Sequence, residues 1–353
     1  MALDLVVQFI SFQLLHSFSF LISSNTLDNA VTMVWRYLSG ADDGYLPGGI
    51  AIIDLVSIAI SSLIDYYFSH VVATMLILES ERLHAMGQST TEFVRNIHEP
   101  PTTRSVTRTT AFLYSSGGPQ MLLRGMKAGI TYYTALYTLT FIIHNVFLRH
   151  QSLRPIARLI ATALLTELHM TWTHSIISTT SPTASVSKLR HNRRIWTRLL
   201  VPSLVCASAQ TIIDYLPEAV SHSYDKLFSH IDPDSLPLHF LAYYDTFTIL
   251  PALILRMGVV LPASIALTLV EANFLPESET TIVPAAKDRR ARMSALVWGK
   301  ISKVRSGFGG VYGLVRRSTY FWLWELHLKR GFLRTACDLL ALTLGSMLLD
   351  LEK

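Results

Sequence analysis

Four side chains recur along one apolar stretch of the sequence, residues 161–178. Glu167, Thr171, His174 and Ser178 lie four, three and four residues apart. On a helix that spacing stacks all four on one face, while Leu164, Leu165, Leu168, Ile176 and Ile177 fall largely elsewhere. An ionisable side chain at membrane depth is costly, so it turns toward a partner or a wet cavity. The stripe therefore fits an interhelix polar clamp or a transport path. His169 and His174 are five residues apart rather than four, which is the wrong spacing for a metal pair on a helix, so no metal is expected.

Other charges interrupt apolar blocks in the same way. Asp54 and Asp65 are eleven residues apart, about three helical turns, and share a face. Asp214, near the end of its block, and Arg256, which shares its block with Glu271, are cavity candidates on the same physical ground. Glu79 and Arg82 are either half of a gate or a solvated helix end with Glu81. Arg124 and Lys127, at the mouth of a block, suit an anionic solute or lipid headgroups. There is no phosphate-binding loop, nucleophile–base pair or supported carboxylate pair, so neither enzymatic activity nor a cofactor is expected.

The elements that must hold these residues are helices in a membrane. Of 353 residues, 50% are hydrophobic and 16% charged, with a mean hydropathy of +0.36. The apolar residues fall in long blocks: 48–78, 127–148, 155–178, 199–216 closed by Pro217, 247–275, and a sixth beginning near Phe308. Residues 332–351 either extend the sixth block or form a separate helix. Segment 1–47 is apolar but has no Lys or Arg before Arg36, unlike a signal or transit peptide. Cys206 and Cys337 sit among apolar residues and read as buried free thiols. Tyr66, Tyr67, Trp322 and Trp324 near block ends fit interfacial belts.

The net charge of +5 sits mostly in loops, and with no nucleic-acid motif present it reads as a topology signal rather than a nucleic-acid surface. The loops after blocks one, three and five are long and basic, and the loop after block four is acidic. The positive-inside rule then places the three basic loops together in cytosol or matrix, with both termini opposite. Arg149, Arg154 and Arg158 in a short link run against that arrangement. The expected fold is all-α: about six transmembrane helices in three pairs (48–150, 151–246, 247–353) with a pseudo-threefold arrangement.

A repeat should show at the ends of the odd blocks. There stand Ile77-Leu-Glu79-Ser-Glu-Arg82, Trp172-Thr-His174-Ser-Ile-Ile177 and Leu269-Val-Glu271-Ala-Asn-Phe274. The anchors Glu79, His174 and Glu271 are 95 and 97 residues apart, the spacing of three tandem two-helix units. Here the sequence resembles the mitochondrial carrier family, whose odd helices end in Pro-x-Asp/Glu-x-x-Lys/Arg. Leu123-Arg124-Gly125 resembles that family's Tyr-Arg-Gly element, and Tyr133-Thr-Ala-Leu136 the Pro-Tyr-Ser-Ala-Ile that follows it. No repeat here carries the proline, and only Glu79 and Arg82 keep both charges.

The resemblance implies a solute transporter of the mitochondrial inner membrane, with membrane lipids and a small-molecule solute as partners. Charged residues at the odd-helix ends would close one side of a central cavity, His174 pairing with Glu271. A helical scaffold or adaptor without working gates is the alternative. Residues 169–178 are also similar to fungal multi-pass proteins often labelled "ubiquitin carrier protein". Conjugating chemistry needs a thiolate beside a His-Pro-Asn element, and His144-Asn145 has neither the proline nor a nearby cysteine.

Overall fold

The computed structural model describes residues 48–89, 101–150, 153–179, 193–228, 251, 253–275, 279–283 and 317–351. These residues are mostly helical, and no strand occurs among them beyond one isolated bridge. The expected all-α class therefore holds. Segment 1–47, most of the loops after blocks three, four and five, and Gly309, Gly310 and Gly313 lie outside the described residues.

Helix α1 (Gly48–Tyr66) runs through a π-helical segment, Tyr67–Val72, into α2 (Ala73–Ser89). Thr102–Arg104 forms a 3-10 turn, followed by α3 (Val106–Gly117) and the short α4 (Pro119–Leu122). Gly118 separates α3 from α4 at φ 72°, and Gly125 caps α5 (Met126–Ile142) in the left-handed region at φ 77°. Both conformations are easy only for glycine. A second π segment, Ile143–Leu148, continues α5. Then come α6 (Arg154–Leu164), α7 (Thr166–Ile177), α8 (Arg193–Phe228), a π segment Arg256–Val260 leading into α9 (Leu261–Asn273), and α10 (Arg317–Leu351).

Two boundaries differ from expectation, and one alternative left open is decided. Block three is not one helix: Leu165, with φ −94° and ψ 9°, breaks it into α6 and α7. Block four does not end at Pro217, because α8 continues to Phe228. A proline removes one backbone donor and tends to kink a helix, but the ladder can resume beyond it. The tail 332–351 is an extension of the sixth block, since α10 is unbroken from Arg317.

Among the described residues, two helical stretches are long and apolar enough to cross a membrane, Val56–Leu83 and Leu253–Asn273. They are the first and third of the odd blocks. Large apolar side chains such as Ile52, Phe141, Phe147, Ile254 and Phe332 stand exposed along the helices. In water a surface of that kind is a liability, whereas lipid covers it without cost.

The chain divides into two compact units. One comprises Met1–Phe68, Ile212–Arg256 and His327–Lys353; the other comprises Ser69–Thr211 and Met257–Leu326. In the second unit, α2, α7 and α9 each pack against the other two, and α5 packs on α6 and α7. Ala157 and Ala161, four apart on α6 and both fully buried, let Ile143 and its neighbours approach closely. Cys206 is buried with Ala263 and Leu267, which joins α8 to α9. Cys337 is only partly buried, so the expectation of two buried thiols holds for Cys206 alone.

Candidate functional site

Every odd block is interrupted ahead of its anchor. The π segment at 67–72 precedes Glu79, the break at Leu165 precedes His174, and the π segment at 256–260 precedes Glu271. These irregularities stand in a chain whose anchor motifs lack proline. Each lets the following short helix turn independently of the one before it. The short helices α2, α7 and α9 are the three that pack together, so the anchors come from converging elements.

At this junction Glu271 is fully buried. Its Oε1 lies 2.6 Å from His169 Nδ1, and its Oε2 accepts a hydrogen bond from Thr173 Oγ1 at 2.6 Å. His174 Nε2 donates to the Glu271 backbone carbonyl at 2.7 Å. The α7–α9 link is therefore made by His169, Thr173 and His174 together. His174 does not meet the carboxylate, as the sequence reading expected; it caps the main chain beside it. His169 and Thr173, four residues apart, form a separate polar edge, roughly 150° around the helix from the 167–171–174–178 stripe. A buried carboxylate needs such partners, because losing them leaves its desolvation uncompensated.

The rest of the stripe supports the same helix. Thr171 Oγ1 donates to the Glu167 backbone carbonyl at 2.9 Å, so it does not bridge Glu167 to His174 by side chains. Thr171, His174 and Ser178 are buried and Glu167 is partly buried. Beyond the helix ends, Thr179 N donates to Thr280 O at 2.8 Å and Ile282 N to Ile177 O at 2.9 Å, an antiparallel bridge between the segments that follow α7 and α9.

Glu79 is half-buried, and its carboxylate bonds to the turn after α2 rather than to another odd helix. Its Oε1 accepts from the Thr102 N–H and hydroxyl at 3.0 and 2.8 Å, and its Oε2 from those of Thr103 at 2.9 and 2.6 Å. One carboxylate thus fixes the 3-10 turn that leads into α3. Neighbouring Arg104 donates Nε to Glu325 Oε2 at 2.9 Å, tying the turn to α10. Glu81 is wholly buried on α2, and Arg82 is partly buried.

Aromatic rings fill the space between α5, α7 and the π segment of block one. Trp172 stacks on Tyr132 at 5.7 Å between centroids and lies 4.4 Å from the His70 ring. Gly129 faces the indole, where a Cβ would come within 3.0 Å of ring atoms. Arg124 Nε donates to the Ser175 carbonyl at 2.9 Å, so it braces the end of α7. Burial pulls its guanidinium below the ordinary value, and Glu279 works against that pull. Lys127 is exposed.

A second cluster belongs to the other unit. Arg334 Nη1 lies 2.6 Å from Asp65 Oδ2, Arg330 Nε 3.6 Å from Oδ1, and Arg334 Nε 3.8 Å from Asp338. Ser61 Oγ donates to Asp338 at 3.2 Å. Asp214 and Arg256 are within electrostatic range, Arg256 feeling Arg330, Asp214 and Asp65 together. The structure thus gathers Asp65, Asp214 and Arg256 in one unit, while Glu79, His174 and Glu271 belong to the other. The side chain of Asp54, on α1, lies outside the described residues. Sequence reading missed Arg330, Arg334 and Asp338, whose spacing of four and four marks one face of α10.

No protein-family model, no curated protein and no solved structure matches the chain.

Proposed function

We propose that the protein is a multi-pass helical membrane protein on the carrier plan, with about six spans in three pairs. Its function in this reading is to carry a small solute, in the mitochondrial inner membrane, through a path closed at one end by the three odd helices. One observation carries this: α2, α7 and α9 each pack against the other two, and Glu81, His174 and Glu271 on them are shut away from solvent. Three helices from three separate parts of the chain have no local reason to meet. A closed cavity end is what the resemblance implies for them.

The test is uptake by proteoliposomes of a labelled panel of carboxylates, amino acids and phosphate compounds. The reading expects at least one to be exchanged, and Glu271→Ala to reduce that exchange by about tenfold or more, as loss of a buried hydrogen-bonded charge would. Uptake of no panel member, or full activity in Glu271→Ala, would sink it.

A second reading, a scaffold without gating, is favoured by the backbone bridge between 177–179 and 280–282. Main-chain bonds of this kind hold two helix ends together without needing charge. A cross-link across the bridge separates the two readings, because only a transporter must break it.

A further inference from the structure

The contact between His169 and Glu271 differs in kind from the rest of the α7–α9 junction. Thr173 and His174 present donors whose hydrogen bonds are complete as they stand. His169 is about a quarter exposed (24%), whereas Glu271 is wholly buried. The imidazole uses Nδ1 on the carboxylate, which leaves Nε2 to take a further proton from the partly open side. With that proton aboard, the contact is a charge-assisted pair, roughly twice as strong as one with a neutral donor. Without it, a fully buried carboxylate is held by neutral donors alone.

We propose that His169 and Glu271 form a proton-binding site whose occupancy holds the ends of α7 and α9 together. The carried species would then include a proton, bound when this end is closed and lost as it opens. The proton site stands on its own geometry; only its role in carriage rests on the reading above.

The sign follows from the two states. The protonated pair favours closure, so closure is strongest in acid and weakens as pH rises through the range where an imidazole gives up its proton. Other ionisable groups face this site from each packed element. Tyr132 on α5 lies edge-on to the His169 ring at 5.0 Å. Arg158 on α6 reaches Tyr132 electrostatically, as Glu271 reaches Cys206 on α8. Glu81 is buried on α2, and Glu279, beyond α9, is near His174. Tyrosine and cysteine titrate well above neutrality, carboxylates ordinarily below it, and arginine not at all. His174 is itself buried, with Nε2 committed to a carbonyl. His70 lies over Trp172, farther from Glu271 in the chain of contacts.

Hydrogen–deuterium exchange on the reconstituted protein tests this, with exchange times scaled for intrinsic pH dependence. The reporters are the Thr179 and Ile282 amides of the bridge. Protection should fall by about tenfold or more between about pH 5.5 and 8.5, the span over which an imidazole discharges. His169→Gln keeps a donor but cannot take the extra proton, and its protection should be nearly flat across that range. Glu271→Gln gives a second route to the same flat profile. Thr173→Val should lower protection at every pH while keeping the slope. Flat protection in the unaltered protein, or a full slope in either Gln variant, overturns the proposal. If the slope behaves as expected but the vesicles exchange no solute, the proton site stands and the transport reading falls.

Discussion

At the residue scale, a few side chains hold helices together that are far apart in sequence. Asp65 is the plainest, since it faces two arginines of α10 and is itself largely buried. Removing one member of such a cluster strands the others in a poor solvent. Asp65→Ala should therefore lower unfolding stability by about 3–5 kcal/mol. Asp338→Ala, at the more exposed edge, should cost no more than about 1 kcal/mol. Thermal or denaturant unfolding in detergent measures both. Gly129 is a packing counterpart. Its missing Cβ makes room for the Trp172 indole, so Gly129→Ala should cost about 1–3 kcal/mol. Gly258→Ala, with open space around it, should be nearly neutral by the same measurement.

At this scale the sequence located the helix but not the face that meets the carboxylate. The 167–171–174–178 stripe located the right helix and the right junction. It named His174, whereas the carboxylate of Glu271 takes His169 and Thr173, on another face of the helix. At 3.6 residues per turn that edge lies roughly 150° around α7 from the stripe, and periodicity alone does not say which face meets α9. What decides between them is the rotation of α7, which is set by the break at Leu165. Asp65, Asp214 and Arg256 were recognisable as costly charges, yet their partners Arg330 and Arg334 lie far along the chain. Nothing local to Asp65 announces them.

At the scale of elements, the interruptions in the odd blocks organise the rest. A π segment leaves little trace in sequence, because it answers to tertiary packing rather than to a breaker residue. That is why the π segments of the first and fifth blocks went unread in the sequence. Glu79 belongs to this scale as well. By accepting four hydrogen bonds from Thr102 and Thr103 it fixes the turn before α3, although the residues are more than twenty apart. Glu79→Ala should free that turn. Limited trypsin digestion should then cleave after Arg104 about tenfold faster or more, since hydrogen bonds to a charged group contribute about 1.5–3 kcal/mol each. An unchanged cleavage rate would mean that the Arg104–Glu325 pair alone holds the turn.

At the scale of the molecule, the all-α class was readable because it follows from period and composition. Apolar blocks at near-constant spacing are averages over many residues, so single substitutions do not hide them. The helix lengths were less readable: α8 passes Pro217 and α10 runs unbroken, because one weak local signal is outvoted by its surroundings. The central claim is that the joined ends of α7 and α9 are a gate. Thr179 and Thr280 face each other across the bridge with their hydroxyls in contact, which makes them a natural place for a reversible lock. In a background with Cys206 and Cys337 replaced by alanine, Thr179→Cys and Thr280→Cys should cross-link on oxidation. The most direct measurement is solute exchange by that variant in proteoliposomes, before and after oxidation and again after reduction. The gate account predicts exchange that falls by about tenfold or more on cross-linking and returns on reduction, because the closed state can no longer be left. Exchange that continues undiminished in fully cross-linked protein would contradict it.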